Sequence, residues 1–272
     1  MPEIRCDAAL RAARARIGAG DARLLLQHVL AVSAVWLMAH DDAALSDEQL
    51  TRFDDLVVRR EGGEPIAYLT GEREFFGRSF AVSPAVLIPR HETELLVEQA
   101  LRLMQEVRQP RLADLGTGSG CIAISLALER PDAAVVAVEA STVALDVARG
   151  NAERLGARLE FRLGSWCDPL DGEFDAIVSN PPYVVEGDPH LAQGDVRFEP
   201  RSALTAGIDG LADIRRIAAD AWPRLRSGAW LLLEHGYDQA AAVAEILEQR
   251  GFREIQHGTD LAGVLRTTLG RR

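Results

Sequence analysis

Apolar positions in the first seventy residues recur at helical spacing. Leu25, Val29, Val32 and Trp36 fall at +4, +3 and +4, one face of a helix. Ser46-Asp-Glu-Gln49 has the form of a capping box, and Leu50, Phe53 and Val57 continue at +3 and +4 behind it. No strand-like run precedes residue 73, so residues 1–70 are expected to form a small bundle of four or five short helices. Trp36 is assigned to its core. The pattern then changes. Gly71–Gly77 and Arg78–Val82 read as two short strands about a glycine turn, and Pro84 and Pro89 punctuate the exit, so residues 71–90 are expected to be a β-hairpin linker.

From residue 91 to 272, helical and strand-like runs alternate. Leu96, Ala100, Leu103 and Val107 mark a helix. Strands are expected at Leu112–Leu115, Ala134–Val138, Leu159–Leu163, Phe174–Ser179 and Ala229–Leu233. Helices are expected at Cys121–Glu129, Ser141–Leu155, Leu211–Trp222 and Gln239–Gln249. Two further strands, Arg253–Gln256 and Gly263–Thr268, follow with no helix between them. This alternation predicts a mostly parallel sheet covered on both faces, with one antiparallel edge strand. Residues 184–208 have weak periodicity and are long for a structureless connection, which marks them as a candidate functional segment.

Composition removes several chemistries. The 272 residues carry a net charge of −11, and all 30 basic residues are arginine. Without lysine there is no Walker-type phosphate loop, no kinase-type strand lysine and no Schiff-base amine. Missing lysine itself reads as codon usage in a chain rich in Ala and Arg. The 47% apolar content is that of a globular protein, and no apolar run approaches the length of a membrane span. Met1-Pro-Glu-Ile-Arg-Cys6 lacks the basic start and apolar run of a signal peptide, so a cytoplasmic location is expected. Cys6, Cys121 and Cys167 are odd in number and widely spaced, as for reduced thiols. The six histidines show no metal-ligand spacing, so no metal is expected. The acidic balance weighs against broad nucleic-acid binding.

Two turns carry the chemistry. Asp114-Leu-Gly-Thr-Gly-Ser-Gly120 follows an expected strand and opens a helix. Gly116, Gly118 and Gly120 allow a tight turn and close approach of a ligand. Glu139 ends the next strand, where a carboxylate can accept hydrogen bonds from both hydroxyls of a ribose. The spacing is G-x-G-x-G, not the G-x-G-x-x-G of dinucleotide folds. S-adenosylmethionine has no phosphate to satisfy, and its ammonium group favours an acidic neighbour such as Asp114. The turn therefore favours S-adenosylmethionine over a dinucleotide, with a plain strand–helix turn as the structural alternative.

Asn180-Pro-Pro-Tyr183 ends the strand Phe174–Ser179. The prolines fix the backbone and remove two N–H donors. The Asn180 side-chain oxygen and the Pro181 carbonyl remain as two acceptors, matched to the two hydrogens of a planar NH2 group, with Tyr183 as a flat face for a planar substrate. A carboxamide or an exocyclic base amine fits. Holding both hydrogens orients the nitrogen lone pair toward an electrophilic methyl and stabilises the developing charge without a strong base.

Glu64–Gly77, Ile88-Pro-Arg90, Asp114–Gly120, Ser179–Tyr183, Gly194–Pro200 and Glu234-His-Gly236 together resemble, in order and spacing, the peptide-chain release factor N5-glutamine methyltransferase family. The resemblance covers the chain from the helical segment to its end. It implies a class I methyltransferase domain over 91–272: Rossmann-like, with a mostly parallel seven-stranded sheet and one antiparallel edge strand. It also implies an N-terminal helical domain that helps to dock the substrate. The implied reaction transfers a methyl group from S-adenosyl-L-methionine to the amide nitrogen of the glutamine in the Gly-Gly-Gln loop of class 1 release factors. Matched residue by residue, Asp114, Gly116, Thr117, Gly118, Ser119 and Gly120 line the cofactor, Glu139 holds its ribose and Trp166 lies by its adenine. Asn180, Pro181, Pro182 and Tyr183 grip the glutamine amide, with Asn180 also beside the cofactor. Three positions depart from the family pattern: Glu139 stands where Asp is usual, Ser165 where an acidic residue is common, and His91 where proline is familiar.

Two other substrates share this chemistry: a ribosomal-protein glutamine and an exocyclic amine in DNA or rRNA. The acidic chain, without an added basic recognition domain, weighs against the nucleic acid. A non-catalytic binding module is the remaining alternative, weakened by the intact Asn180. His91 and His235 lie near the ligand-side turns and are expected at the surface or behind the site. Cys121 opens a helix, where a thiol pKa can fall, but packing is the expected role. Arg197 and Arg201 are expected to be solvated, with contact to a release factor as the alternative. A monomer is expected.

Overall fold

The computed structural model describes residues 4–272; residues 1–3, at the head of the expected 1–70 bundle and of the stretch read for a signal peptide, lie outside the described residues. The chain divides into two compact units. One runs to Glu72 and adds Ala192–Phe198; the other comprises Arg73–Leu191 and Glu199–Arg272.

The first unit contains five helices: α1 (Cys6–Ile17), α2 (Ala19–Leu30), α3 (Ala34–Ala39), α4 (Asp47–Glu61) and α5 (Ile66–Thr70). Leu10, Leu25, Leu26, Phe53 and Val57 form its core. The capping box forms as read: the Ser46 hydroxyl accepts the Gln49 N–H at 3.2 Å, and the Gln49 side chain accepts the Ser46 N–H at 2.9 Å. The run from Leu25 to Trp36 is not one helix. Ala31 takes a left-handed conformation (φ 53°), and Ser33 restarts the helix by accepting the Trp36 N–H at 3.1 Å. Trp36 is consequently not a core residue: it is 36% exposed and stacks on His40 with ring centroids 4.4 Å apart. Within this unit, Arg60 binds both Asp21 (2.6 Å) and Asp195 (2.8 Å), and Arg197 donates to the Gly62 carbonyl. Arg197 is thus engaged, not simply solvated.

The hairpin β1 (Glu72–Phe75) and β2 (Arg78–Ala81) starts at the last residue of the first stretch and continues into the second unit. Phe76 and Gly77 both have positive φ (50° and 70°), the backbone of a two-residue hairpin turn whose twist matches its strands. Phe75 and Phe80 are buried in the same cluster as Leu96, Val97 and Ile124. Helix α6 (Glu94–Leu103) stops short of Val107. There follow β3 (Arg111–Leu115), α7 (Cys121–Glu129), β4 (Ala134–Glu139), α8 (Thr142–Leu155), β5 (Glu160–Leu163), β6 (Phe174–Ser179), α9 (Ala212–Ala221), β7 (Leu225–Glu234), α10 (Ala240–Arg250), β8 (Arg253–Thr259) and β9 (Leu265–Arg271).

The seven strands from β3 to β9 form one sheet in the order β5-β4-β3-β6-β7-β9-β8. All neighbours pair in parallel except at one end, where β9 runs against both β7 and β8. The period of two along each strand sorts side chains between two cores. Leu112, Val135 and Ala137 join α6 and α7 on one face; Ala113, Val136 and Val138 join α9 and α10 on the other. Strand β7 starts four residues before its apolar run, and β9 runs on to Arg271, because ladder pairing carries polar residues along with the apolar ones. Residues 184–208 contain three short 3-10 turns and a parallel bridge between Val184 and Thr205. Among the described residues, no helix is long and apolar enough to cross a membrane.

Candidate active site

Strand order and register assemble the site. The chain winds from β3 to β4 on one side and reaches β6 on the other, so the sheet's direction of winding reverses between β3 and β6. Ligands of open parallel sheets sit at the carboxyl ends of the strands at such a point. Leu115 is in register with Val138 on one side and Ser179 on the other, and Ser179 in turn with Leu233. The next residues of the four strands are therefore neighbours along one sheet edge: Glu139, Gly116, Asn180 and Glu234. The Ser179 hydroxyl locks two of these ends together by donating to the Leu115 carbonyl at 2.7 Å.

The glycine turn is held tightly. Gly116, Gly118 and Gly120 all have positive φ (72°, 54° and 84°). The N–H groups of Gly116 and Thr117 both reach the Val138 carbonyl at 2.9 Å, and that of Gly118 reaches the Glu139 carboxylate at 2.9 Å. A Cβ on Gly116 would lie 3.2 Å from the Trp166 ring, so Trp166 is drawn over the turn. Trp166 itself takes a left-handed conformation (φ 46°). Thr117 and Ser119 are buried, and the Ser119 carbonyl accepts from Asn151 at 2.9 Å.

Asp114 is fully buried beneath this turn. Its Oδ2 accepts the Thr117 hydroxyl at 2.6 Å and the Ala123 N–H at 3.2 Å, while its Oδ1 has no hydrogen-bond partner among the described residues. Burial pushes its carboxyl up to about 7, helped by the Glu139 charge and opposed by the two hydrogen bonds. A buried, half-satisfied carboxylate suits a cationic ligand group. The acceptor set of Asp114 and Glu139 around a glycine cradle therefore fits an ammonium and a ribose diol.

At the neighbouring turn, Pro181 and Pro182 are buried and Tyr183 and Asn180 partly so. The Asn180 side-chain nitrogen donates to the Thr93 hydroxyl at 3.1 Å. Tyr183 donates its hydroxyl to Glu234 at 3.3 Å, and its carbonyl accepts from Gln239 at 3.0 Å. Glu234 is buried, its Oε2 has no hydrogen-bond partner among the described residues, and its carboxyl is raised to about 7 by burial. Thr93 and Glu234 were not among the expected site residues. Register beside β6 was a usable signal for Glu234; Thr93, in a short turn before α6, offered none.

His91 is 65% exposed along its side chain and pairs with Glu94. His235 is buried and bonds the Gly236 carbonyl and Thr268, both at 2.8 Å. Cys121 is buried, and its thiol is pushed up to about 12 by burial, so the helix start does not lower it. Arg90 binds the buried Glu199, which also accepts the Ile88 N–H at 3.2 Å. Among the described residues, no group of His, Cys, Asp and Glu is arranged to hold a metal ion.

Residues 5–71 match the PrmC N-terminal domain family and residues 91–196 the methyltransferase small domain family. The chain is 52% identical over 254 residues to the release factor glutamine methyltransferase of Neisseria gonorrhoeae, covering 92% of each. It is 46% identical over 254 residues to the protein of the same name from Escherichia coli, covering 92% of this chain and 91% of that one. A methyltransferase structure from Pyrococcus furiosus superposes with a TM-score of 0.53 at 18% identity over 80% of this chain and 96% of that one. A T. thermophilus 16S rRNA methyltransferase in complex with AdoMet and guanosine gives 0.53 at 23% identity over 74% and 49%. These two likenesses concern the fold.

Proposed function

The chain belongs to the release factor glutamine methyltransferase family, and from that premise we propose how its residues carry the reaction. It transfers a methyl group from S-adenosyl-L-methionine to the side-chain amide nitrogen (N5) of a release factor glutamine, the one in the Gly-Gly-Gln loop of class 1 factors. Membership of this family disfavours a ribosomal-protein glutamine or a nucleic-acid amine as the substrate.

The observation that carries the reading is the Asn180 amide. Its nitrogen is engaged by Thr93, which leaves Oδ1, with the Pro181 carbonyl, as acceptors for a substrate NH2. Held so, the substrate nitrogen presents its lone pair in a fixed direction, and the two acceptors stabilise the positive charge that grows on it. Tyr183 supports the planar amide from one side. Asp114 receives the ammonium of the cofactor and Glu139 its ribose hydroxyls. Gly116, Thr117, Gly118, Ser119 and Gly120 let the backbone approach closely, and Trp166 flanks the adenine. When bound, the cofactor supplies a sulfonium-activated methyl group.

The helical unit docks the release factor. Val35 (73% exposed) and Met38 (66%) on α3 offer apolar side chains to a partner. The enzyme works as a cytoplasmic monomer without nucleic-acid specificity, in keeping with its net charge of −11. Incubation with the cofactor and a release factor should add the mass of one methyl group, and replacing the Gly-Gly-Gln glutamine should abolish it. Methylation that survives this replacement contradicts the assignment.

A further inference from the structure

We propose that Gln239 is a positioning residue for methyl transfer: its side-chain amide ties the turn after β7 to the Tyr183 carbonyl and so fixes the aromatic face against which the substrate amide lies. The inference rests on the reading of Tyr183 as that face.

Pro181 and Pro182 have no N–H, so half of the four-residue turn cannot be pinned through backbone donors. Whatever holds it must act on Asn180, on Tyr183 or on the carbonyls. The Tyr183 and Val184 N–H groups both reach the Leu204 carbonyl, at 3.2 and 2.8 Å. The Tyr183 hydroxyl reaches Glu234 at 3.3 Å. Neither arrangement holds the Tyr183 carbonyl. Gln239 does: its Nε2 donates there at 3.0 Å, while its Oε1 accepts the Gly236 N–H at 2.8 Å. A backbone N–H only donates and a carbonyl only accepts, so these two partners admit one orientation of the Gln239 amide. With the Tyr183 carbonyl and the Val184 N–H both engaged, the peptide plane between them is held at its two edges. The direction in which the Tyr183 side chain leaves the backbone is thereby set.

The bridge is built at close quarters. A Cβ on Gly210 would collide with the Tyr183 oxygen and lie 2.8 Å from Gln239 Nε2, and one on Gly236 would lie 3.0 Å from Gln239 Oε1. Bare glycines on both sides therefore leave the space that the Gln239 amide fills. Gln239 is itself placed by the start of α10. Its N–H reaches the Gly236 carbonyl at 3.0 Å, and its carbonyl accepts the N–H of Val243, a core residue, at 2.9 Å. Through this side chain the packed core beneath α10 fixes a turn that has few donors of its own.

Glutamic acid has the shape of glutamine. Neutral, it offers the same acceptor and a hydroxyl donor; ionised, it sets an anion against the Tyr183 carbonyl. Acid should therefore repair Gln239→Glu. The test measures methyl transfer to a release factor at saturating cofactor for wild type, Gln239→Glu, Gln239→Met, Gly210→Ala and Tyr183→Ala, with cofactor binding followed by calorimetry. At about pH 8, Gln239→Glu should lower kcat by about 10- to 30-fold while the cofactor Kd stays within about threefold of wild type. From about pH 8 to about pH 5.5, the ratio of its kcat to that of wild type should climb at least about threefold as the carboxyl takes up its proton. The neighbouring charged and titratable groups are common to both proteins, so the ratio reads position 239: His235 and Asp238 in the same turn, Glu234 on the Tyr183 hydroxyl, Arg266 beside His235, and the Asp209–Arg215 pair next to Gly210. Gln239→Met keeps the bulk without either bond and should be slow at every pH, with a flat ratio. Gly210→Ala drives a methyl group between the same two atoms and should lower kcat with cofactor affinity kept, which tests the bridge even where Gln239→Glu fails to fold. The inference is overturned by full activity in Gln239→Glu at about pH 8, by a ratio as flat as that of Gln239→Met, by cofactor binding lost along with activity, or by full activity in Gly210→Ala. Full activity in Tyr183→Ala would instead overturn the functional reading beneath it.

Discussion

The Glu139 carboxylate closes the end of β4 onto the glycine turn, one oxygen accepting the Gly118 N–H at 2.9 Å and the other the Ser141 N–H at 3.0 Å. A carboxylate has about four lone-pair sites, so both oxygens keep capacity for ribose hydroxyls. Glu139→Ala should weaken cofactor binding by roughly 10- to 100-fold, the loss of one or two charge-assisted hydrogen bonds. Calorimetric titration checks this, and kcat at saturating cofactor should change far less. Unaltered affinity would remove Glu139 from the cofactor site.

Gly120 begins the close packing of α7 on α8. A Cβ there would lie 2.7 Å from Ile124 Cδ1 and 3.2 Å from the Ala148 Cβ, at a φ of 84°. Gly120→Ala should cost about 1–3 kcal/mol from overpacking and the left-handed backbone. Thermal denaturation should show a lowered Tm, by about 2–4 °C for each kcal/mol. A Tm equal to wild type would mean that the turn adapts freely.

Asp114 has a pH signature. Its carboxyl stands at about 7 in the folded protein against an ordinary 3.8, so the folded state holds a proton that the unfolded state gives up. Its contribution to stability therefore falls as pH rises through the window from about 4 to 7. Glu234, at about 7 against 4.5, acts in the same direction. Cofactor binding runs the opposite way, because an ammonium group selects the ionised form. Binding near neutral pH should tighten with rising pH and release a proton, visible by calorimetry in buffers of different ionisation enthalpy. Proton uptake, or none, would place the ammonium elsewhere.

Arg90 holds Glu199, whose side chain is fully buried while that of Arg90 is 32% exposed. Arg90→Ala leaves a buried carboxylate without its guanidinium and should cost about 2 kcal/mol, below the full cost of breaking a buried pair because Arg90 is partly solvated. Adding Glu199→Gln should recover part of that loss in chemical denaturation, since the uncompensated charge is then gone. Two independent, additive losses would argue against the pairing.

The strand–helix alternation was legible because each strand of the parallel sheet is an apolar run bounded by turns. Phe174–Ser179 and Cys121–Glu129 have the bounds that their sequences suggest. The two chemical turns were legible too, since glycine and proline state their backbone demands locally. The break at Ala31 was not, because an alanine in a left-handed conformation leaves no mark in an apolar pattern. Trp36 was misread for the same reason: spacing was counted through a break. Thr93 was out of reach for another reason. It meets Asn180 only through the three-dimensional course of the chain, and a threonine ahead of a helix already has an ordinary explanation as a cap.

The three cysteines, all buried and free, are divided between the units: Cys6 in the helical one, Cys121 and Cys167 in the other. Burial raises all three thiols, Cys121 and Cys167 to about 12, so the folded protein offers almost no thiolate. Alkylation can then proceed only during openings of the surrounding structure. Mass-resolved labelling of Cys6 against Cys121 and Cys167 thus becomes an internal clock for each unit, with no probe introduced. Equal rates would mark one cooperative opening. A faster Cys6 would mean that the helical unit breathes while the sheet carrying the catalytic turns stays closed.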